Sequence, residues 1–296
     1  VQNIAGMAAE GAMSAGMMGD MMEIGLVNQG TMAAMGPEGM KDCIDKLCES
    51  AEKSVLAGEN IIILSDRQFG PKRVPIPMLL ATSAVHHHLI RKGLRTSVGL
   101  VVESAEPREV HHFAVLAGYG AEAVNPYLAF ETLIQMHQNG LFPKEVDEKE
   151  VIKRYIKSND KGLLKVMSKM GISTYQSYCG AQIFDAVGLS TEFIDQYFSG
   201  TASKIEGVGI DQISKEAFIR HDMAYNDIPI LRHSLDVGGE YAVRHRGEVH
   251  AWTSDEVTYL QHATRLGNVN DYKEYACLLY TSPSPRDVEE SRMPSS

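Results

Sequence analysis

Two short apolar runs constrain the fold of this chain more than any other feature. IIIL at 61–64 and SVGLVV at 97–102 are continuous and rich in β-branched residues, which is typical of buried strands. Between them, the Pro75/Pro77 pair opens a helical stretch that runs to about Lys92. Because both strands are apolar throughout, the pattern predicts a parallel βαβ unit whose strands are covered on both faces.

The same alternation extends on both sides of this unit. Ile44, Leu47, Ala51 and Val55 recur at spacings of three and four, which predicts an amphipathic helix over 42–56. Further predicted elements are helices over about 103–117, 127–139, 147–157 and 161–170, a short third strand within 121–127 and a fourth strand at 172–177. The predicted fold class is α/β, with a parallel β-sheet flanked by helices and joined by right-handed crossovers.

Charge and cysteine content argue against several classes of protein. The 296 residues include 28 Lys and Arg against 38 Asp and Glu, which gives a net charge of −10. This charge argues against non-specific binding to nucleic acid or to an anionic membrane. The 4 cysteines are too few and too scattered for a disulfide framework, which favours a reducing compartment. No apolar run reaches the roughly 18 residues of a membrane helix. We expect a small molecule or another protein as the partner.

Both ends differ in composition from the rest of the chain. Residues 1–38 form a low-complexity segment of doubtful origin, rich in Met, Gly and Ala, and without the early positive charge of a signal or transit peptide. Residues 277–296, CLLYTSPSPRDVEESRMPSS, resemble a translated sequencing adapter when they are written back into codons. The first residue is Val1 rather than Met. We therefore expect a fragment of a longer protein, whose biological sequence ends near Ala276.

Polar residues follow each predicted strand, where parallel α/β folds usually meet their ligands. These candidate positions are Ser65-Asp66-Arg67, Glu103-Ser104, Asn125-Pro126-Tyr127 and Gln176-Ser177-Tyr178. A capped helix start explains Ser65, Asp66 and Ser104 equally well. Both interpretations stay open at this point.

Two histidine runs, His86-His87-His88 and His111-His112, lie on consecutive predicted helices. Adjacent helical residues point about 100° apart, so three in a row cannot converge on one metal ion, and there is no HExxH pair. We interpret these side chains as half-buried imidazoles that hydrogen-bond between helices. A polar passage lined by them, or a metal-dependent hydrolase, is the alternative.

Cysteine and glycine motifs give no stronger signal. Gly118-Tyr119-Gly120-Ala121 lacks the third glycine and the later acidic residue of a dinucleotide fingerprint, so a turn is predicted. Cys43 and Cys48 lie five apart on one helix and Cys179 stands alone, which is not the spacing of an iron–sulfur or zinc site. Cys179 precedes a predicted helix, where a thiolate could be stabilised, but no base is assigned and it is taken as a small buried residue. The residues alone thus predict no self-contained active site.

Longer strings are more informative. Four stretches resemble the central domain of the large subunit of glutamate synthase: ILSDR at 63–67, the continuous stretch at 76–133, KGLLKVMSKMGISTYQSYCGAQIFDAVGL at 161–189 and YFSGTASKIEGVG at 197–209. This resemblance covers residues 39–225. After a linker at 226–250, residues 251–276 resemble the start of the FMN-binding synthase domain of the same family.

The resemblance implies an enzyme that makes glutamate by reductive amination. A glutaminase domain releases ammonia from glutamine, and a synthase domain condenses it with 2-oxoglutarate and reduces the imine with FMN, which is reduced through a 3Fe-4S cluster. The central domain is implied to be an incomplete, barrel-like α/β domain that connects the two. No catalytic, cofactor-binding or metal-binding residue can be carried over to this chain, so we expect none here and no activity of the fragment alone.

Partners and location follow from the same resemblance. The expected partners are the glutaminase and synthase domains of the same chain, with a flavin-containing small subunit or ferredoxin as electron donor, in the cytoplasm or a plastid. The competing hypothesis is a free-standing α/β scaffold that binds a partner protein without catalysis. WTSDEVTYLQHATR at 252–265 favours the enzyme, since a free scaffold has no need for the opening of a synthase domain.

Overall fold

The structure is a computed structural model, and it describes residues 24–28, 39–225, 237–239, 242–247, 250 and 252–281. They belong to two compact units, one within residues 1–226 and one within residues 227–296. Most of the segments 1–38, 226–250 and 277–296 that were set apart by sequence lies outside the described residues. The predicted domain boundaries remain predictions.

A four-stranded parallel sheet forms the centre of the first unit. Its strands are β1 (Ile24–Asn28), β2 (Ile61–Ser65), β3 (Gly99–Glu103) and β4 (Ala123–Asn125), and they lie side by side in chain order. Every pair is parallel, which confirms the predicted parallel sheet. β1 adds a strand in a segment for which none was predicted. The described strands do not close a barrel, because β1 and β4 are both edges.

Four helices alternate with these strands. They are α1 (Met40–Leu56), α2 (Met78–Arg91), α3 (Val110–Gly118) and α4 (Tyr127–Gln138), with a short 3-10 turn (Arg95–Ser97) before β3. α1, α2 and α4 occupy the stretches predicted from helical periodicity and proline positions, whereas α3 begins at Val110 and not near residue 103 as predicted. The hydrophobic core lies between the sheet and α1 and α2, whose buried side chains include Ile44, Leu47, Val85 and Leu89.

Across β2, β3 and β4, one face of the central sheet is more deeply buried than the other. The side chains on this face are Ile62, Leu64, Leu100, Val102 and Val124. On the opposite face, Ile61, Ile63 and Val101 are partly buried, so the cover predicted for both faces is incomplete on this side of β2 and β3. The apolar sequence of a strand allows both of its faces to be buried. Whether both are buried depends on how the rest of the fold packs against them.

One long helix, α5 (Glu148–Lys169), replaces the two helices predicted at 147–157 and 161–170. The predicted break between residues 157 and 161 is absent, and the helix continues through Gly162. A Cβ at this position would overlap the side chain of Val110 at the start of α3. Gly162 therefore allows α5 to approach α3 closely and does not end the helix.

The rest of the first unit contains α6 (Tyr175–Tyr178), β5 (Asp185–Leu189), α7 (Thr191–Tyr197), β6 (Ala202–Val208) and α8 (Ile210–Tyr225). β5 and β6 pair in parallel as a separate two-stranded sheet. The strand predicted at 172–177 is wrong, because residues 175–178 form a helical turn. The hydroxyl groups of Tyr175 and Tyr178 donate to the carbonyl oxygens of Ala121 and Ala114, and these long-range bonds fix the turn.

The second unit contains α9 (Ser254–Leu266) and α10 (Val269–Thr281). Thr253 and Glu256 form a capping box at the start of α9, and Gly267 ends the helix in the left-handed region with φ 65°. α10 continues across residue 276. None of the helices in the described ranges is long and apolar enough to cross a membrane.

Candidate functional site

Three of the four polar positions predicted at the strand ends meet at the carboxyl edge of the central sheet. Glu103, the last residue of β3, accepts hydrogen bonds from Ser65 Oγ at 2.7 Å, Arg67 Nε at 2.7 Å and Asn125 Nδ2 at 3.3 Å. The donors come from β2, the loop after it and β4. One carboxylate thus joins three neighbouring strands of the sheet.

Asp66 is the second centre of this cluster and is 5% exposed. Its carboxylate accepts hydrogen bonds from Ser104 Oγ at 2.6 Å, from Tyr127 OH at 2.8 Å and from the backbone N–H of Ala105 at 3.1 Å. Burial, reinforced by the bond to Asp66, raises the pKa of Tyr127, so its hydroxyl keeps its proton and donates. We call the side chains around Glu103 and Asp66 the carboxyl-edge cluster.

Arg67 closes the outer side of the carboxyl-edge cluster. Its guanidinium lies 4.1 Å from the centre of the Tyr127 ring, a cation–π contact, and 3.7 Å from Glu131 on α4. Sequence reasoning missed Glu131, although it lies four residues after Tyr127 and so shares its face of α4. It also missed the N–H of Ala105, which no side-chain pattern could indicate.

Internal pairing determines what the carboxyl-edge cluster can do chemically. Each carboxylate already accepts several hydrogen bonds, and the hydroxyl groups of Ser65 and Ser104 donate to carboxylates. A general base or nucleophile needs a lone pair directed at an open space beside a substrate. The cluster therefore ties successive βα loops together. This linking role is intermediate between the ligand-binding edge and the helix capping that the sequence left open.

The fourth predicted position, Gln176-Ser177-Tyr178, lies elsewhere because the strand expected before it is absent. These residues belong to α6, where Ser177 Oγ accepts from Thr174 Oγ1 at 2.8 Å and the Tyr178 hydroxyl donates to Ala114 O at 3.1 Å. Tyr178 is fully buried in a small core with Ala117 and Met167. Its role is packing, and it does not join the carboxyl-edge cluster.

The imidazoles of His86, His87 and His88 point to different partners. His86 Nδ1 accepts from Arg95 Nε at 2.9 Å, His87 Nδ1 lies 2.9 Å from Ser83 O, and His88 Nε2 lies 2.7 Å from Glu52 on α1. Burial, followed by the charge of Arg95, lowers the pKa of His86 to about 3, so this ring is neutral. The bond from His88 to Glu52 joins α2 to α1, as expected for an interhelical contact.

The second pair, His111-His112, is separate from the first. His112 Nδ1 accepts from the N–H of Arg108 at 3.2 Å at the start of α3. Within the described ranges, no three His, Cys, Asp or Glu side chains are arranged to hold a metal ion. The five histidines are therefore distributed over several separate contacts.

The cysteine thiols lie apart from one another. Cys43 and Cys48 are buried on α1, and burial raises the pKa of Cys48 to about 12. Burial also raises the pKa of Cys179, which is the opposite of the thiolate stabilisation considered from its sequence position. Gly118 and Gly120 form the turn that ends α3, and Gly118 O accepts from the N–H of Gly180 at 2.9 Å. The predicted turn is present.

Comparison with known proteins assigns most of the chain to one family. The sequence profile of the glutamate synthase central domain matches residues 7–190. The chain is 48% identical over 237 residues to the glutamate synthase [NADPH] large chain of Bacillus subtilis, covering 80% of this chain and 15% of that protein. It is 42% identical over 241 residues to glutamate synthase [NADH] of Saccharomyces cerevisiae, covering 79% of this chain and 11% of that one.

A ferredoxin-dependent glutamate synthase of Pyropia yezoensis is 39% identical over 259 residues, covering 84% of this chain and 17% of that protein. The chain thus spans about a sixth or less of these relatives. Among solved structures, a flavocytochrome b2 variant with benzoylformate matches 54% of this chain and 40% of that one at 13% identity and a TM-score of 0.37. That similarity is too low to indicate a common fold or function.

Proposed function

The chain belongs to the glutamate synthase central domain family, and we propose that it is the connecting domain that holds a glutaminase site and an FMN-dependent synthase site in register. In this proposal the full-length protein makes glutamate from glutamine-derived ammonia and 2-oxoglutarate. The domain contributes a rigid body and no catalytic residue. It thereby fixes the distance that ammonia travels between two sites, away from the water in which it would be protonated.

The carboxyl-edge cluster is the observation that carries this proposal. In parallel α/β enzymes this edge holds the reacting groups, whereas here its carboxylates are occupied by bonds between successive βα loops. Asp66 is nearly inaccessible at 5% exposure. Such a cluster stiffens a domain, which is the property a spacer needs. Accordingly, we propose no catalytic, cofactor-binding or metal-binding residue in this chain.

The residues of the described ranges do not fit FMN or an iron–sulfur cluster. A flavin phosphate needs free backbone N–H groups and positive charge, but the carboxyl edge carries Asp66, Glu103 and Glu131 against the single guanidinium of Arg67. A cluster needs several thiolates in one place, and no group of three such ligands occurs among the described side chains. We propose that FMN and a 3Fe-4S cluster are held elsewhere in the full-length protein.

The proposed partners are the glutaminase and synthase domains of the same polypeptide. The electron donor is a flavin-containing small subunit or ferredoxin; relatives named for NADPH, NADH and ferredoxin are all similar to this chain. We propose a cytoplasmic location, or a plastid location in a plant or alga, since one relative from Arabidopsis thaliana is named chloroplastic.

A domain exchange tests the proposal. Residues 39–225 replace the matching segment in the Bacillus subtilis large chain, and three rates are measured: glutamine hydrolysis, glutamate formation from added ammonia, and glutamate formation from glutamine. We expect the exchange to preserve all three. Asp66→Ala in the exchanged segment should lower the glutamine-dependent rate more than the other two, because it loosens the spacer. Asp195→Ala, at an exposed position on α7, is the matched control and should change none.

Two results would contradict the connecting role. One is an exchanged enzyme whose glutamine-dependent rate is the same with and without Asp66→Ala. The other is an Asp66→Ala enzyme in which the ammonia-dependent rate falls as far as the coupled rate while glutamine hydrolysis is unchanged, which would place the cluster in the synthase chemistry.

A further inference from the structure

A small pocket lies on the helix side of β4, between α3, α4 and α5, and shares no residue with the carboxyl-edge cluster. Its volume is about 40 Å³. We call it the aromatic pocket, and the side chains that matter for its chemistry are Phe113, Phe130, Tyr155, Asp160, Leu163 and Tyr175. Apart from Asp160 these are apolar or aromatic, and all six are partly exposed, so solvent molecules can reach the pocket.

Three rings form one wall of the aromatic pocket. Tyr155 lies edge-on to Phe130, with ring centres 5.9 Å apart and planes at 85°, and to Phe113, at 6.5 Å and 69°. The Tyr155 hydroxyl donates to Arg108 O at 2.9 Å, which holds the ring in place. Aromatic faces carry partial negative charge and attract cations. This wall therefore favours a positively charged guest over a negative one.

Asp160 is the group in the lining whose polar atoms are not already used. The Tyr175 hydroxyl donates to Ala121 O, and the Asn159 amide donates to Tyr155 O at 3.1 Å. Among the described residues, the side-chain carboxylate of Asp160 has no hydrogen-bond or ion-pair partner. Burial raises the pKa of its carboxyl group.

We propose that the aromatic pocket binds a primary ammonium group on a short aliphatic stem, with Asp160 as the counter-ion and the rings around the stem. The ammonium group would donate a charge-assisted hydrogen bond to the Asp160 carboxylate. Each buried water needs about 10–15 Å³ on the same scale, so the pocket has room for about three waters or a stem of about four heavy atoms. A larger or anionic ligand does not fit.

Binding to the whole 296-residue chain tests this site. Dissociation constants of n-butylammonium and of its neutral analogue n-butanol are measured by NMR titration. We expect n-butylammonium to bind saturably and at least about 10-fold more tightly than n-butanol, because only the ammonium group gains a charge-assisted bond. Asp160→Asn should abolish this preference. Asp195→Asn, an exposed carboxylate on α7, should leave both constants unchanged.

A second variant keeps the test independent of Asp160. Phe130→Leu conserves apolar volume but removes an aromatic face, so it should weaken n-butylammonium about 2- to 5-fold and leave n-butanol nearly unchanged. Equal affinity for the charged and neutral probes in the unmodified chain overturns the proposal. Butylammonium binding that is unaffected by Asp160→Asn also overturns it, and so does the absence of saturable binding.

Discussion

Replacing Asp66 with alanine tests the carboxyl-edge cluster most directly. The substitution removes the acceptor of three hydrogen-bond donors: Ser104 Oγ, Tyr127 OH and the N–H of Ala105. Ser104 is 0% exposed and Tyr127 is 7% exposed, so water does not easily replace the carboxylate. Each orphaned buried donor costs about 1–3 kcal/mol, and the two hydroxyls can partly turn to other acceptors. We expect a loss of about 3–5 kcal/mol in the free energy of unfolding.

A graded series sharpens the expectation. Asp66→Asn keeps one oxygen acceptor and lets the hydroxyls turn round to accept from the new amide, so it should cost about 1–2 kcal/mol. Asp195→Ala removes an exposed carboxylate and should change stability by less than about 0.5 kcal/mol. The unmodified chain and Asp195→Ala should therefore be the most stable, Asp66→Asn less stable, and Asp66→Ala the least stable.

Urea unfolding followed by far-UV circular dichroism measures these differences. The single tryptophan, Trp252, lies in the second unit, so its emission identifies any transition that belongs to that unit. Hydrogen exchange of the Ala105 amide adds a local measurement and should accelerate in Asp66→Ala. A loss below about 1 kcal/mol together with unchanged exchange would refute the reasoning, because it would mean that other acceptors satisfy the three donors.

Two further predictions concern the neighbourhood of His86. The pKa of His86 is lowered to about 3 in the folded chain, so below about pH 6.5 the unfolded chain takes up a proton that the folded chain does not. The free energy of unfolding should therefore fall as the pH drops from about 6.5 toward 3, by up to about 1.4 kcal/mol per pH unit. His86→Asn should remove this slope in urea titrations at several pH values. Gly120 has φ 103°, and a Cβ there would overlap the His86 ring, so Gly120→Ala should lower the free energy of unfolding by about 2–4 kcal/mol. Gly140→Ala, at φ 72° with open space around it, is the control and should cost about 1 kcal/mol; equal losses would show that the ring gives way freely.

Local patterns of sequence predicted the central sheet and its helices well. The β-branched runs became β2 and β3, and the three-and-four spacing of Ile44 and its partners became the buried face of α1. These signals succeed because strand and helix periodicity depend on neighbours in the chain. The prediction that polar residues at strand ends come together also succeeded for three positions, since parallel strands bring their carboxyl ends to one edge.

The failures all depend on distant contacts. Ile172 and Thr174 favour a strand locally, yet the tyrosines that follow are tied by hydrogen bonds to Ala114 and Ala121, more than fifty residues away. The break predicted between the helices at 147–157 and 161–170 is absent, and Gly162 in the continuous helix lies against the distant Val110. In the carboxyl-edge cluster, sequence predicted the polar residues but not which of them bond to each other. Whether a given hydroxyl donates to Asp66 or to Glu103 depends on the register of β2 against β3.

The chain order of the central sheet has a consequence for biosynthesis. β2 pairs with β1, β3 with β2 and β4 with β3, so each strand finds its partner among residues that the ribosome has already made. Such pairing keeps the separation between contacting segments modest and avoids waiting for a late strand to insert between early ones. The sheet can therefore grow outward from β1 as translation proceeds, one βα step at a time.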